Sequence, residues 1–430
     1  MRLSVFIALL IAYVVGCMAV AFVAVWAIEH IVGDLGPDVS TIVFAIIVFG
    51  LVTQVMRVLQ PVMLRSHAKQ HARSVQLVTA ARASAAELPQ WSNRAELEAA
   101  LRGAGLAEWA PRLADLARRC ILLVPGPIAE DVTPIGACRL GGQPDMPADV
   151  DWPLRPPFQP RRRLVAGPPP GHILLGRYHW LHRLFRSRQW KQVVQRWERS
   201  HQVEAEVRNR EWPLSFVAQV DFAELHAVCA LDDFPATGRL LFFCDEFDWP
   251  WGEAEDQARA RVIFTHQPVE RLERKPVPPQ FNEPVARELM PRGWAFKPRI
   301  LRPTAWLLPP HAAFITQHNW PGWSDAQHDA YRQFWERLYT QYPDMFGHGE
   351  AVHQVGGTAW SIQDPVEAEC ARFAGDPPER ADGWQLVLQI DSDIEVGMEW
   401  GDVGRLYVCA RKEDVAAGRF DRCWTVMQCY

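Results

Sequence analysis

The sequence lacks the signatures on which most enzyme assignments rest. It contains no Gly-x-Ser-x-Gly elbow, no phosphate-binding loop and no dinucleotide fingerprint. No two cysteines form a Cys-x-x-Cys pair, and the nine cysteines are odd in number and scattered. That pattern argues against a disulfide framework and against a structural zinc site. Cys244 and Cys409 fall in matching apolar stretches and read as small buried hydrophobes in a reducing compartment. The two-histidine metal helix is also missing. His348 and His353, flanking Glu350, stand at i and i+5 among glycines, where the metal helix needs i and i+4. No metal and no cofactor is assigned.

Charge is absent from Leu3 to Ile28, which is 26 positions. A helix needs ~20 to cross a bilayer, and a signal-peptide core of ~7–15 is too short to account for the run. A second apolar run begins at Thr41. Between the two, Glu29 to Ser40 carries acids but no Lys or Arg. After them, Arg57, Arg65, Lys69, Arg73 and Arg82 precede the next acid, Glu87. The positive-inside rule then predicts a transmembrane hairpin in residues 1–60, with spans of about 3–28 and 41–59. This places the chain in the bacterial inner (cytoplasmic) membrane as a multi-pass protein, with its N-terminus and main domain cytoplasmic and the lipid bilayer as its first partner. Residues 61–120 read as a helical juxtamembrane connector. Ser92 is its predicted N-cap, Leu97, Leu101, Leu113 and Leu116 its apolar spacing, and Gly103, Gly105 and Pro111 its interruption.

What the chain has in quantity is proline, 34 residues, and tryptophan, 19. Both favour short strands joined by irregular loops. Residues 121–430 carry one pattern twice. Gly141-Gly142, Gln219-Val220-Asp221 and Gly238-Arg239-Leu240 are echoed by Gly356-Gly357, Gln389-Ile390-Asp391 and Gly404-Arg405-Leu406. Strand alternation puts Phe216, Ala218 and Val220 on one face and Val217, Gln219 and Asp221 on the other. The predicted fold class is α+β, mainly β, with two related β-rich halves behind the membrane hairpin. Tyr331 to Tyr342 reads as an amphipathic helix with Phe334, Trp335 and Leu338 on its core face.

The motifs also resemble a known family, the YwqG-like bacterial proteins, a domain of unknown function. The likeness rests on Gly141-Gly142-Gln143-Pro144 with Trp152-Pro153, on Pro213 to Asp221, and on Phe234-Pro235 through Phe243. It continues in His353 to Gly357 with Ile362-Gln363, and in Gly404 to Tyr407 with the tail from Asp421. It spans roughly 122–430. The resemblance implies a mostly β fold of two related halves and implies no activity.

An insertion at 154–212 separates the two parts of the first half. Arg155 to Glu211 holds thirteen Lys and Arg against four Glu, a net +9, which leaves −14 for the rest of the chain. Arg183, Arg186, Arg188, Lys191 and Arg196 surround a stripe of Trp180, Leu184, Val193, Val194 and Trp197. Such a helix either docks on the body with its charges solvated or meets anionic lipid; nucleic acid is the less favoured partner, since no binding module accompanies it. Acidic turns at Asp245-Glu246 with Asp248, and at Asp391-Ser392-Asp393 with Glu395 and Glu399, read as exposed turns more readily than cation sites. Trp249, Trp251, Trp320 and Trp323 either cap a core or line a pocket.

Gln219, Asp221, Gln389, Asp391 and His353 are the candidate ligand-cleft residues, because the repeat makes the first four equivalent. The favoured reading is that those four bond backbone groups where the halves meet and that His353 is structural; they mark a site only where they face an open cleft. The expected function is a membrane-anchored cytoplasmic binding module with an unknown protein or small-molecule partner. The alternatives are an enzyme, such as a metal-assisted hydrolase working in the cleft between the halves, and a structural membrane protein.

Overall fold

The computed structural model describes residues 91, 93–128, 133–158, 188–311, 323–341 and 352–429. The chain separates into two units, Met1–Ala85 and Ala86–Tyr430, and every described residue belongs to the second.

The strands of the main sheet are β1 (Arg118–Ile128), β2 (Arg139–Leu140), β6 (Ser215–Asp221), β7 (Arg239–Cys244), β8 (Ala260–Thr265), β10 (Arg299–Leu308), β11 (Gln354–Gly356), β12 (Trp384–Asp391), β13 (Arg405–Arg411) and β14 (Trp424–Gln428). Two small ribbons pair β3 (Asp145–Pro147) with β9 (Leu272–Arg274), and β4 (Leu154–Arg155) with β5 (Trp212–Pro213). The ten-stranded sheet runs β14-β13-β12-β11-β1-β10-β2-β6-β7-β8, and all its pairings are antiparallel.

The long β1–β10 pair is the centre of this order. Each side continues with a short strand that ends in two glycines, then a Gln-x-Asp strand, then a Gly-Arg-Leu strand. The registers match: Arg139 faces Gln219 on one side and Gln354 faces Gln389 on the other. Both Gln-x-Asp strands carry a bulge two residues before the glutamine, at Val217 and at Val387. The bulge overrides simple alternation. Phe216 joins the outer cluster with Leu241 and Phe243, while Val217, Ala218 and Val220 face inward.

The sheet curls until its ends meet. Met427 N–H donates to Pro250 O at 2.7 Å, the Gln257 side chain bonds both backbone groups of Thr425, and Phe264 packs on Phe420 at 4.6 Å. The interior is filled by apolar side chains of both halves, among them Val220, Phe242, Leu388, Ile390, Leu406 and Val408. The space between the halves is therefore packed core.

Helices cover the outer face. α1 (Arg94–Gly103), α2 (Ala110–Leu116) and α6 (Asp325–Gln341) share a cluster with Leu122, Trp306 and Leu308 of the central strands. Asn93, one residue beyond the predicted Ser92, caps α1 by accepting from Glu96 N–H. Tyr331, Phe334, Trp335 and Leu338 form the buried face of α6. α3 (Arg188–Arg208) docks through Val203 and Val207 against α5 (Pro284–Leu289) and Trp294. α4 (Phe222–Val228) and α8 (Lys412–Ala416) close the interior, and α7 (Val366–Phe373) lies over β12, β13 and β14.

Two expectations are corrected. The fold is mixed α+β with one curled sheet, not a mainly β body behind a membrane hairpin. Among the described residues, no helix is long and apolar enough to cross a membrane. The longest, α3, is 21 residues of mostly polar and charged sequence. The runs at 3–28 and 41–59 lie outside the described residues. The two-span hairpin, the bilayer as partner, the anionic-lipid contact and the multi-pass inner-membrane location are therefore not carried forward.

Candidate functional site

The repeat places its polar residues in equivalent positions, and their bonds show what they do there. Gln219 is fully buried. Its Nε2 donates to Ala137 O and to Asp145 Oδ2, both at 2.9 Å, and its Oε1 accepts from Asp145 N–H at 3.0 Å. Gln389 is fully buried too. Its Nε2 donates to Val352 O at 2.8 Å and its Oε1 accepts from Trp360 N–H at 2.9 Å. Each glutamine thus ties the chain before its glycine pair to the chain after it. Buried amides held this way are structural pins, since leaving either backbone partner unbonded costs ~1–3 kcal/mol.

The aspartates two residues on pair with the arginines of the next strand. Asp221 meets Arg239 and caps α4, accepting from Ala223 N–H at 2.8 Å. Asp391 takes Arg405 Nε at 2.7 Å and Val352 N–H at 2.8 Å. Burial pushes the Asp391 carboxyl above its ordinary range, and Arg405 opposes the shift. His353 is buried, and its Nδ1 accepts from Asp391 N–H at 3.1 Å, which places the ring proton on Nε2. That Nε2 lies 3.9 Å from Asp393 Oδ2, whose other partner is Arg299 at 2.9 Å. Gln219 and Gln389 sit on the outer face of the sheet, five strand positions apart. The structure does not bring the five candidates into one cleft.

Asp145 was not anticipated. It is fully buried and takes Arg274 at 2.9 Å, Arg139 at 3.3 Å and Gly136 N–H at 2.8 Å. Burial alone would raise its carboxyl, but Arg274, Gly136 and Arg139 together hold it below the ordinary range.

The basic and metal candidates separate in the same way. Arg183 and Arg186 lie outside the described residues, as do His348, Glu350 and Trp320. Arg188 and Lys191 fall on the first turns of α3, and Arg196 is exposed on the same helix. Among the described residues, no group of His, Cys, Asp or Glu could hold a metal ion. The metal-assisted hydrolase in the cleft is corrected on that ground and on the filled interior. Trp249 and Trp251 pack on the core, and Trp323 packs on Trp109 at 5.5 Å. These rings cap cores.

A groove of about 310 Å³ opens on the outer face of the first half, where Trp152 packs beside Phe216 and Phe243. Trp152, Leu154 and Pro213 form one wall and Lys275 to Gln280, Lys-Pro-Val-Pro-Pro-Gln, form the other. Trp152 is fixed in place. Its indole N–H donates to Leu214 O at 2.8 Å, and its ring meets Phe243 and Phe281 edge-on at 5.5 and 6.4 Å. Leu154 is 44% exposed. Four exposed acids lie within three chain positions of the lining residues, Asp149, Asp151, Glu211 and Glu273, while the arginines equally near, Arg155, Arg210 and Arg274, are paired with Asp245, Glu283 and Asp145. Lys275 supplies a cation, held by Ala148 O at 2.8 Å and by Glu273 at 3.9 Å. The proline run at 276–279 was the one sequence signal for this wall.

A curled antiparallel sheet built from two copies of a Gly-Gly, Gln-x-Asp, Gly-Arg-Leu unit defines the class. The family model for the domain of unknown function DUF1963 matches residues 138–429. The chain belongs to this family, the YwqG-like proteins. No curated protein matches it.

Proposed function

We propose that the chain recognises an extended, proline-containing segment with basic flanks, and that the groove between Trp152 and residues 275–280 receives it. The carrying observation is an immobilised tryptophan in one groove with a wall of proline rings, with exposed carboxylates within three chain positions of both walls. Aromatic and proline surfaces suit the polyproline II helix, which is rigid before binding and so loses little entropy on docking. The carboxylates at Asp149, Asp151, Glu211 and Glu273 select cationic flanks and steer association. This replaces the membrane-anchored reading, which no described helix supports.

The test is calorimetric titration of the full chain with a synthetic peptide, Arg-Ala-Leu-Pro-Pro-Leu-Pro-Arg. Saturable binding is expected, weakening as salt rises. Leu154→Arg, which replaces an exposed apolar contact by a like charge, is expected to weaken it at least about tenfold, or 1.4 kcal/mol. Absence of saturation up to about 1 mM peptide would overturn the proposal.

A further inference from the structure

Beneath the β4–β5 ribbon lies a charged cluster that the groove does not use. Arg155 on β4 is fully buried and reaches Asp245 at 2.6 Å, just past the end of β7. Its remaining donors take the carbonyls of Val207 and Arg210, each at 3.1 Å, where α3 ends. Arg259 reaches Asp248 at 3.0 Å and Asp256 at 2.6 Å. The Phe158 ring lies against both guanidiniums, at 4.6 Å from Arg155 and 4.5 Å from Arg259. Asp245 also accepts from Phe247 N–H, and Asp256 from Trp251 N–H.

All five ionisable residues are at most 5% exposed, and they comprise two guanidiniums and three carboxylates. The cluster therefore holds one negative charge more than it can pair. An uncompensated charge in a dry site is costly, and the cheapest remedy is a proton. Asp248 is the carboxylate best placed to take it. Its partner Arg259 keeps Asp256, whereas Asp245 is the sole carboxylate on Arg155. The charged groups facing Asp248 are Arg259, Asp245, Asp256 and Arg155. Buried Glu246, next to Asp245, faces Arg292, Asp245 and Glu399, and burial pushes its own carboxyl up. Burial, with Asp245 and Asp256 beside it, raises Asp248 to about 6 against the pull of Arg259.

The cluster stands where the 154–212 insertion leaves the body and where it returns. We propose that it is a proton-operated latch. With one proton bound, it is neutral and clamps both ends of the insertion to the body. With the proton released, the unpaired carboxylate loosens that clamp. The ribbon carrying Arg155 also carries Leu154 and Pro213, so the latch would set how firmly one groove wall is held. That last consequence rests on the groove reading, and the latch does not.

Hydrogen exchange on the full chain tests the latch without any ligand. Exchange times are scaled for the intrinsic pH dependence, and the peptides covering residues 200–213 are read at pH 5.5 and 8.0. In the wild type these amides are expected to open about fourfold more often at pH 8.0, the linkage of a carboxyl that titrates at about 6 when the latch is closed and in its ordinary range when it is open. Asp248→Asn should show the pH 5.5 protection at both values. Asp256→Asn, which removes a neighbouring negative charge, should move the transition below pH 6. Equal opening of the wild type at the two pH values would overturn the proposal. So would an unchanged pH dependence in Asp248→Asn or, should that variant not fold, an unmoved transition in Asp256→Asn.

Discussion

At the scale of single residues, the polar groups of the repeat hold backbone together. Gln389→Leu leaves Val352 O and Trp360 N–H without their partner, both buried beneath the outer helices. The expected cost is about 2–6 kcal/mol of unfolding free energy, from two unmet groups at ~1–3 kcal/mol each. Gln219→Leu should cost as much, and urea denaturation of both variants checks the equivalence. Arg405→Met strands the Asp391 carboxylate in a dry site and should cost about 3–5 kcal/mol. The double change Arg405→Met with Asp391→Leu should recover most of that loss. A single-variant loss below about 1 kcal/mol would show that Asp391 is not held as described. Glycine is required at Gly141, where φ is +53° and an added Cβ would lie 2.4 Å from Lys297 O. The glutamine–aspartate pairs were legible because they recur at matching places. The glutamines bond backbone groups, as the sequence favours, at Ala137, Asp145, Val352 and Trp360, though within each half rather than where the halves meet. The pairing of the aspartates with Arg239 and Arg405 was not legible, because no sequence signal ties those side chains together across neighbouring strands.

At the scale of elements, the repeat could be read and its centre could not. Both Gly-Gly turns and both Gly-Arg-Leu strands are visible as motifs, but β1 and β10 have no counterpart motif to mark them as the middle pair. The bulges at Val217 and Val387 were hidden for another reason. An extra residue in an apolar strand leaves the hydrophobic pattern looking continuous, so Phe216 was assigned to the wrong face. The insertion was legible as a basic helix, but it docks through Val203 and Val207, which lie C-terminal to the expected stripe of Trp180, Leu184, Val193, Val194 and Trp197. Val207→Ala should weaken this docking by about 2 kcal/mol, the cost of two buried methyl groups and a small cavity. The change should speed amide exchange in residues 200–208 while β6 and β12 stay protected. Equal acceleration in the sheet would mean that α3 is part of one cooperative core.

At the scale of the whole molecule, the curled sheet spends its interior on packing and leaves binding to its outside. Phe242→Ala should therefore behave as a core deletion, costing about 3–5 kcal/mol. Its carboxylates also give the molecule a defined pH response. Burial raises Asp245, Glu246, Asp248 and Asp391, so the folded chain holds their protons more tightly than the unfolded chain does. Asp145 is shifted the other way, against its burial, by Arg274, Gly136 and Arg139. His311, which desolvation pushes down to about 3, works against the raised carboxyls once the unfolded chain's imidazole starts to take a proton below about 6.5. Thermal stability should accordingly rise as pH falls from 8 to about 6.5, and decline below about 4 as Asp145 takes its proton. In His311→Gln the rise should continue below pH 6, and a profile of that variant that is flat between pH 8 and 5 would contradict the burial of this acidic set.

The central claim is that the groove at Trp152 receives an extended basic, proline-containing segment. Oxidative footprinting of the full chain, with and without a saturating concentration of the test peptide, reads that surface directly. The account predicts loss of labelling at Leu154 and Trp152, with exposed Ile394 labelled equally in both states. Unchanged labelling at Leu154 and Trp152 under peptide would contradict it.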